Sequence, residues 1–407
     1  MPLDRAHPDD VAFDRISRMK STLHVPRIRW RRAPNSAVRL TVLVTGAACE
    51  SDARHTVASL RDEWTRAHRR DEDLVVIAVL DTAAAIESAL GASPGYARDI
   101  VAVVRHDVVF LEGSLKPLLE RLQGDPDCGA VAPRVFVDSS TQLQPAIRAW
   151  PSALTRLWHA AANRWAIAAR WYVPRRARES MQWWTTEQAL ASEALPSACV
   201  FQRRKAIERA SGLRDPRFDG ELCDLDFARR VARSGYKLVF EPRSRVVVRE
   251  TGGDGANTFE STRARGRQRG ALRSRAAFEE RHFGPFERAL QRVAAALEVR
   301  GCPRSAAHAT DLGLVHDSPV FEFGRPVRYV LELSRSPRFL DAAGAVGEDH
   351  VFRFEDAAWN WIGSGPHFVR ALERDSGRVI GVWRFRKPRV SAAETALSAR
   401  DAERAAA

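Results

Sequence analysis

The chain has 407 residues, more than one ordinary hydrophobic core needs and enough for two domains. Its hydrophobic fraction of 45% is that of a globular protein, and its five scattered cysteines argue against a disulfide framework or a zinc knuckle. The net charge of +13, from 59 arginines and five lysines, reflects either coding bias or an anionic partner. No nucleic-acid-binding motif accompanies this charge, so nucleic acid is not expected as a partner.

The N-terminal region, residues 1–37, is predicted to be an irregular basic extension. Its first 20 residues lack the apolar core of a signal peptide, and the longest strongly apolar run, 74–80, is too short to cross a bilayer. The expected location is therefore cytoplasmic, either free or peripheral on the inner face of the membrane, where arginines would meet an anionic lipid surface.

Ordered structure is predicted from residue 38 onward. Apolar strands are expected at 38–44, 74–80, 100–104 and 130–137, with helices whose apolar residues recur every three or four positions. Strands that are apolar throughout are typical of a mostly parallel sheet covered by helices on both faces. The predicted fold class is therefore α/β, in which ligands bind beyond the carboxyl ends of the strands.

Polar residues stand at two of these predicted strand ends. Asp81 closes the strand at 74–80, and Arg105, His106 and Asp107 interrupt the apolar run that starts at Ile100. Acidic residues at neighbouring strand ends fit a nucleotide and metal site. Residues that only turn the chain give the same pattern, and the spacing alone favours that plainer interpretation.

A stretch rich in tryptophan and arginine, "RLWHAAANRWAIAARWYVPRR", follows at 156–176. It reads as helical, and a helix of this composition fits a membrane interface, a lid or an interdomain contact. In one continuous helix Trp158 and Trp165 share a face while Trp171 falls on the other side. That arrangement favours tryptophans packed in a core.

The segment 196–253 predicts a strand, two helices and two further strands. Its second helix begins near Asp224 and Asp226, where the helix dipole favours an ionised carboxylate. The motifs of this half are "RRKA", "SG", "DPRF", "CDLD" and "RSGY", and the first half contains "HDVVFLEGSLKPLLERLQGDPDCGAVAPRVF".

In order and spacing these motifs resemble the inverting GT-A glycosyltransferases, in the large family 2-like group that includes bacterial rhamnosyltransferases. The resemblance covers about residues 39–255 and implies a GT-A domain at 38–255, a Rossmann-like and mostly parallel sheet with helices on both faces. It implies transfer of a sugar, with inversion, from a nucleotide-sugar donor to a glycan or lipid-linked glycan acceptor, in the synthesis of a bacterial cell-surface polysaccharide.

The same resemblance implies roles for individual residues. Asp224 would be the general base, and Asp107, with His106, would hold a divalent metal, Mg²⁺ or Mn²⁺. The donor would be contacted by Asp81, Arg105, Asp107, Ser197 and Ala198, and the acceptor side would be formed by Asp226, Arg217 and Trp150.

Three positions depart from the family pattern. Arg105 stands where the family has Asp or Asn, Cys223 replaces a glutamate, and Arg249-Glu250 replaces a histidine. Arg105 either points away and pairs with a neighbour or serves as a fixed cation in place of the metal. The alternative function is accordingly a non-catalytic GT-A protein that binds glycan or scaffolds partner enzymes.

The last third is predicted to form a basic helical connector at 256–310, a small antiparallel β domain at 311–388 and a tail at 389–407. Trp359, Trp361 and Trp383 could stack on a sugar ring or fill the core of this small domain. Small β domains need large aromatic residues in their cores, so the core is the favoured interpretation.

Overall fold

The structure is a computed structural model. It describes residues 39–46, 53–68, 74–79, 81–92, 100–145, 152–218, 221–249, 266–298 and 309–388. The predicted extension at 1–37, the tail at 389–407 and Trp150 lie outside the described residues. Over the described ranges the chain forms an eight-stranded sheet and a five-stranded sheet, together with their helices.

The larger sheet has the strand order β2-β1-β3-β7-β5-β8-β4, with β6 paired to β8. Five strands run in one direction, and the short strands β4, β6 and β7 run against them. This confirms the predicted α/β class with a mostly parallel sheet. The strands are β1 (Leu40–Thr45), β2 (Leu74–Val79), β3 (Ile100–Arg105), β4 (Val108–Phe110), β5 (Cys128–Phe136), β6 (Leu190–Ser192), β7 (Cys199–Arg203) and β8 (Lys237–Val248).

Helices cover both faces of this sheet, because successive residues of a strand point to opposite sides. Val42 of β1 packs in one cluster with Leu60 and Trp64, whereas its neighbour Leu43 packs in another with Ile86. The helices are α1 (Arg54–His68), α2 (Ala83–Ala92), α3 (Leu115–Gly124), α4 (Ala153–Arg164), α5 (Ala166–Thr185), α6 (Arg204–Arg209), α7 (Glu221–Arg233), α8 (Gly266–His282), α9 (Pro285–Glu298) and α10 (Asp356–Trp361). None of the helices in the described ranges is both long and apolar enough to cross a bilayer.

The tryptophan-rich stretch differs from the prediction. Trp165 is extended and divides it into α4 and α5, so the helical periodicity restarts at that residue. Trp158, Trp165 and Trp171 are all exposed, and the core interpretation is therefore wrong for these three. Trp184, near the end of α5, is buried.

The second sheet has the order β11-β10-β12-β13-β9 and is antiparallel except where β13 meets β9. Trp359 is buried against Phe354 and Phe385, which confirms the core interpretation for that tryptophan. The strands are β9 (Thr310–Leu314), β10 (Val320–Ser334), β11 (Ala342–Arg353), β12 (Gly365–Glu373) and β13 (Val379–Lys387).

The two sheets are joined through the segment that follows β5. Gln144 and Gly344 of β11 exchange two backbone hydrogen bonds of 2.8 Å. The indole of Trp184 lies directly against Gly344, in the space that any side chain at that position would fill. One face of the C-terminal half of α5 is therefore buried against the second sheet, and Trp183 beside it packs on Phe240 of the first.

Candidate active site

The polar end of β3 forms an ion pair. Arg105 Nε donates to Asp107 Oδ1 at 2.9 Å, and Arg105 Nη2 donates to Asp107 Oδ2. The guanidinium therefore engages both oxygens of the carboxylate, and the Arg105 side chain remains 35% exposed. Each alternative for Arg105 is met in part, because the residue pairs with a neighbour and that neighbour is the expected metal ligand.

The residues at this strand end do not fit a divalent metal. Such an ion needs several oxygen ligands, and both oxygens of Asp107 already accept hydrogen bonds from Arg105. Among the described residues, no three His, Cys, Asp or Glu side chains are grouped as a metal site would require. The predicted metal role of Asp107 therefore finds no support in this arrangement.

His106 is fixed by its backbone and faces a glycine. Its N–H donates to the Thr45 carbonyl at 2.9 Å, and its carbonyl accepts from Thr56 Oγ1 at 2.5 Å. The buried Nδ1 atom has no hydrogen-bond partner among the described residues. It lies 3.0 Å from where a Cβ on Gly46 would stand, so the ring packs over that residue.

The small residues before β7 lie beside Arg105. Because β7 pairs with β3 in antiparallel register, the Arg105 N–H donates to the Ala198 carbonyl at 2.9 Å. Ala198 is buried and Ser197 is exposed. Four of the predicted donor residues, Arg105, Asp107, Ser197 and Ala198, thus come together at one strand end.

A second group joins Asp81 to Asp224 through Arg214, to which no sequence motif assigns a role. Arg214 Nη1 lies 2.5 Å from Asp81 Oδ1, and Arg214 Nη2 lies 3.9 Å from Asp224 Oδ1. Burial alone would lower the pKa of Arg214, but Asp224 and Asp81 outweigh it and raise the pKa. Asp224 is in the first turn of α7 and is partly exposed.

The two groups stand at the same edge of the sheet. Val79 of β2 and Arg105 of β3 are both paired in register with Thr45 of β1. The three strands therefore end at the same level, with β1 in the middle. At the usual spacing between strands, these two ends are about 10 Å apart. Asp81 lies just beyond the first and Arg105 closes the second, which is where ligands bind in α/β proteins.

The turn that carries Arg214 is hydrogen-bonded to helix α2. Glu87 of α2 accepts hydrogen bonds through Oε1 from the N–H groups of Leu213, at 2.6 Å, and Arg214, at 2.8 Å. Gly212 has a φ of +101°, and a Cβ there would stand 3.1 Å from Glu87 Oε1. The turn therefore requires glycine, both for its backbone conformation and for the approach of Glu87.

The same turn is held from the other side by Arg230 of α7. Its guanidinium donates to the carbonyls of Gly212, at 2.6 Å, and Leu213, at 3.0 Å, and also to that of Ala210. Asp226 Oδ2 accepts from Arg230 Nε at 2.7 Å and so fixes that guanidinium. Arg214 is thus positioned by interactions with both the N–H groups and the carbonyls of its turn.

Asp226 is a structural residue and not an acceptor contact. It has no exposed surface, and its Oδ1 lies 2.8 Å from His282 Nε2, which connects α7 to α8. Burial would raise the pKa of Asp226, but the hydrogen bonds from His282 and Arg230 prevail and lower it. The prediction that Asp226 faces the acceptor is corrected accordingly.

Arg217 pairs with a residue of neither group. It is exposed and paired with Asp215, Nη2 to Oδ2 at 2.7 Å, and the hydrogen bond from Arg217 lowers the pKa of Asp215. Arg281 of α8 also pairs with Asp215. Cys223, in the position of the family's glutamate, is buried with its thiol 2.8 Å from the Phe218 carbonyl.

No protein-family model and no curated protein matches the chain. Three similar solved structures are glycosyltransferases. A mannosyltransferase from Pyrobaculum calidifontis, in complex with GDP-Man and Mn²⁺, is 16% identical over 71% of this chain and 82% of its own, with a TM-score of 0.33. GalNAc-T7 with UDP, GalNAc and Mn²⁺ is 12% identical over 95% and 82%, with a TM-score of 0.36. The catalytic domain of Drosophila beta1,4-galactosyltransferase 7, in complex with xylobiose, is 11% identical over 53% and 66%, with a TM-score of 0.30. Likenesses at this level establish neither a shared activity nor shared ligands.

Proposed function

We propose that the protein is an inverting glycosyltransferase. It moves a sugar from a nucleotide-sugar donor to a glycan or lipid-linked glycan acceptor, in the synthesis of a bacterial cell-surface polysaccharide. The order of the motifs supports this class, and one observation carries it. Arg214 links Asp81 to Asp224, which lie far apart in the sequence, at the carboxyl edge of the parallel strands.

In the proposed reaction Asp224 is the general base. The acceptor hydroxyl attacks the anomeric carbon from the face opposite the diphosphate, and the bond from that carbon to the diphosphate oxygen breaks. The hydroxyl proton passes to Asp224, and a single displacement of this kind inverts the anomeric centre. The partly exposed carboxylate, with Arg214 beside it at a helix N-terminus, is suited to this role. Asp81 contacts the base or ribose of the nucleotide.

Arg105 supplies the positive charge that the departing diphosphate needs. A guanidinium matches phosphate oxygens bidentately, and this one is both partly exposed and held in place by Asp107. Ser197 and Ala198, beside it, leave room for the donor sugar. The proposed reaction therefore does not depend on a divalent metal at Asp107.

The second candidate is a non-catalytic protein of the same fold that binds glycan or scaffolds partner enzymes. It is favoured by the pairing of both donor-side carboxylates within the chain, Asp81 with Arg214 and Asp107 with Arg105. A donor must compete with these ion pairs before it can bind.

Release of nucleoside diphosphate from a panel of UDP-, GDP- and dTDP-sugars, with a chelator present, tests the proposal. We expect turnover of a donor by the wild type and a loss of at least about a hundredfold in Asp224→Asn, with nucleoside diphosphate binding retained. Asp127→Asn is the matched control, because Asp127 is exposed at the opposite edge of the sheet, beside the start of β5. Absence of turnover and of nucleotide binding by well-folded wild type would favour the second candidate.

A further inference from the structure

Helices α4 and α5 form a hairpin whose tip is exposed. Trp165, with φ −115° and ψ 132°, is the single extended residue between them. The chain folds back there, since the ring of His159 in α4 meets that of Tyr172 in α5 edge to face, with centroids 6.1 Å apart. The inner face is buried around Leu340 and consists of small residues: Ala161, Ala162, Ala168 and Ala169.

The outer surface of this hairpin carries large apolar side chains. At the tip Trp165 is 51% exposed and Ile167 is 78% exposed; further back Trp158 is 48% and Trp171 is 78% exposed. Trp158 precedes Trp165 by seven residues and Trp171 follows it by six, so both lie about 10 Å behind the tip at the helical rise per residue. These side chains therefore form an apolar end to the hairpin, of the kind that marks an interaction site.

Within the hairpin stretch 153–178 the charge is of one sign, and an acidic residue that meets it from outside is Asp341, 3.8 Å from His159. Residues 153–178 contain no Asp or Glu and six arginines: Arg156, Arg164, Arg170, Arg175, Arg176 and Arg178. Four of these are exposed, namely Arg164 at the tip and Arg170, Arg175 and Arg178 along α5. Glu179, directly after the stretch, pairs with Arg175 at 3.2 Å. The exposed surface complements an anionic partner.

We infer that the tip of the α4–α5 hairpin inserts into an anionic membrane surface. Indole rings lie at the level of lipid headgroups, and arginines behind them reach lipid phosphates. An apolar end about 10 Å deep matches the depth of 5–10 Å to which interfacial helices are buried. This inference does not rest on the proposed transferase activity, because it uses none of the residues of that site.

Sedimentation of the full chain with lipid vesicles tests the inference. Vesicles of phosphatidylcholine alone and vesicles that also contain phosphatidylglycerol are compared at low and high salt. We expect binding to the anionic vesicles, release by salt, and a blue shift of tryptophan fluorescence. Trp165→Ala with Trp171→Ala should lower the partition coefficient at least about tenfold, which is what a loss of about 1.4 kcal/mol produces.

The matched control is Phe286→Ala with Val293→Ala in α9. Both residues are as exposed as the hairpin tryptophans. They lie on the side of α9 away from Gln291, which bonds Arg156 of α4, so they do not face α4. Vesicle binding should survive in this variant, and the thermal unfolding of both variants should match the wild type.

Three results would overturn the inference. The first is recovery of the wild type in the supernatant with anionic vesicles, and the second is equal binding by the hairpin variant and the control. The third is a change in molecular mass in the hairpin variant without vesicles, measured by light scattering, which would make this face a contact between copies of the chain.

Discussion

Replacing Arg105 with alanine tests whether a divalent metal or the Arg105 guanidinium supplies the positive charge beside Asp107. In the wild type a divalent ion on Asp107 would share both carboxylate oxygens with Arg105. An ion about 2.1 Å from such an oxygen stands roughly 5 Å from the guanidinium charge. A single and a double positive charge at that distance repel by about 3 to 7 kcal/mol, for effective dielectric constants of about 40 to 20.

Even the lower figure corresponds to about a hundredfold in affinity. We therefore expect Arg105→Ala to bind Mn²⁺ at least about a hundredfold more tightly than the wild type. Without metal it should bind nucleoside diphosphate at least about tenfold more weakly, because a hydrogen bond to a charged group contributes about 1.5–3 kcal/mol. Isothermal titration with MnCl₂, and with UDP or GDP in chelator, measures both changes.

The control for this experiment is Arg325→Ala, which removes a similar pair with Glu373 in the second sheet. It should change neither affinity. Tight Mn²⁺ binding by the wild type that Arg105→Ala leaves unchanged would refute the reasoning, because the guanidinium would then not stand at the metal position.

Three further predictions concern stability, measured by denaturant unfolding. Arg230→Met removes the closer of two guanidinium groups from buried Asp226, the other being Arg281 at 3.4 Å, together with three hydrogen bonds to the turn carbonyls, and should lower the free energy of unfolding by about 3–5 kcal/mol. Arg233→Met, at an exposed position of the same helix, should lower it by less than about 0.5 kcal/mol. Gly212→Ala should lower the free energy of unfolding by about 1–3 kcal/mol, and by more than Gly113→Ala does, because Gly113 also has a positive φ but has no neighbour within 4 Å. Equal losses in the two variants would exclude the contact with Glu87 as the cause. Burial lowers the pKa of His367 to about 4, so between pH 6.5 and 4 the unfolded chain binds a proton that the folded chain excludes. As the pH falls through this range, the free energy of unfolding should therefore decrease by up to about 3 kcal/mol. His367→Gln should remove this pH dependence.

The sheet could be predicted because its strands are apolar throughout, and their polar ends then identify the carboxyl edge. The pattern failed where helical periodicity was read across an interruption. In the sequence Trp165 fits as one more helical position, but it is extended and restarts the phase of the helix. The short helix α2 was missed because its residues, mainly alanine and other small side chains, give no amphipathic signal over 83–92.

The site was only partly predictable. Asp224 and Asp226 are two positions apart, and helical residues at that spacing point in different directions, so only one of them could face a cleft. The sequence alone could have supported that distinction. Arg214 could not be found in this way, since its partners Asp81 and Asp224 are brought to it by the fold and no local pattern connects them.

The contact between the two sheets limits how the chain can be shortened. Trp184 belongs to the helix that follows the first sheet's β5, but the surface that covers it is Gly344 of the second sheet. Gln144 likewise completes its backbone hydrogen bonds only with that strand. A fragment that stops after β8 would expose this indole and two unpaired backbone groups to water. For expression and crystallisation, the useful boundary therefore lies beyond β13 and not at the end of the first sheet.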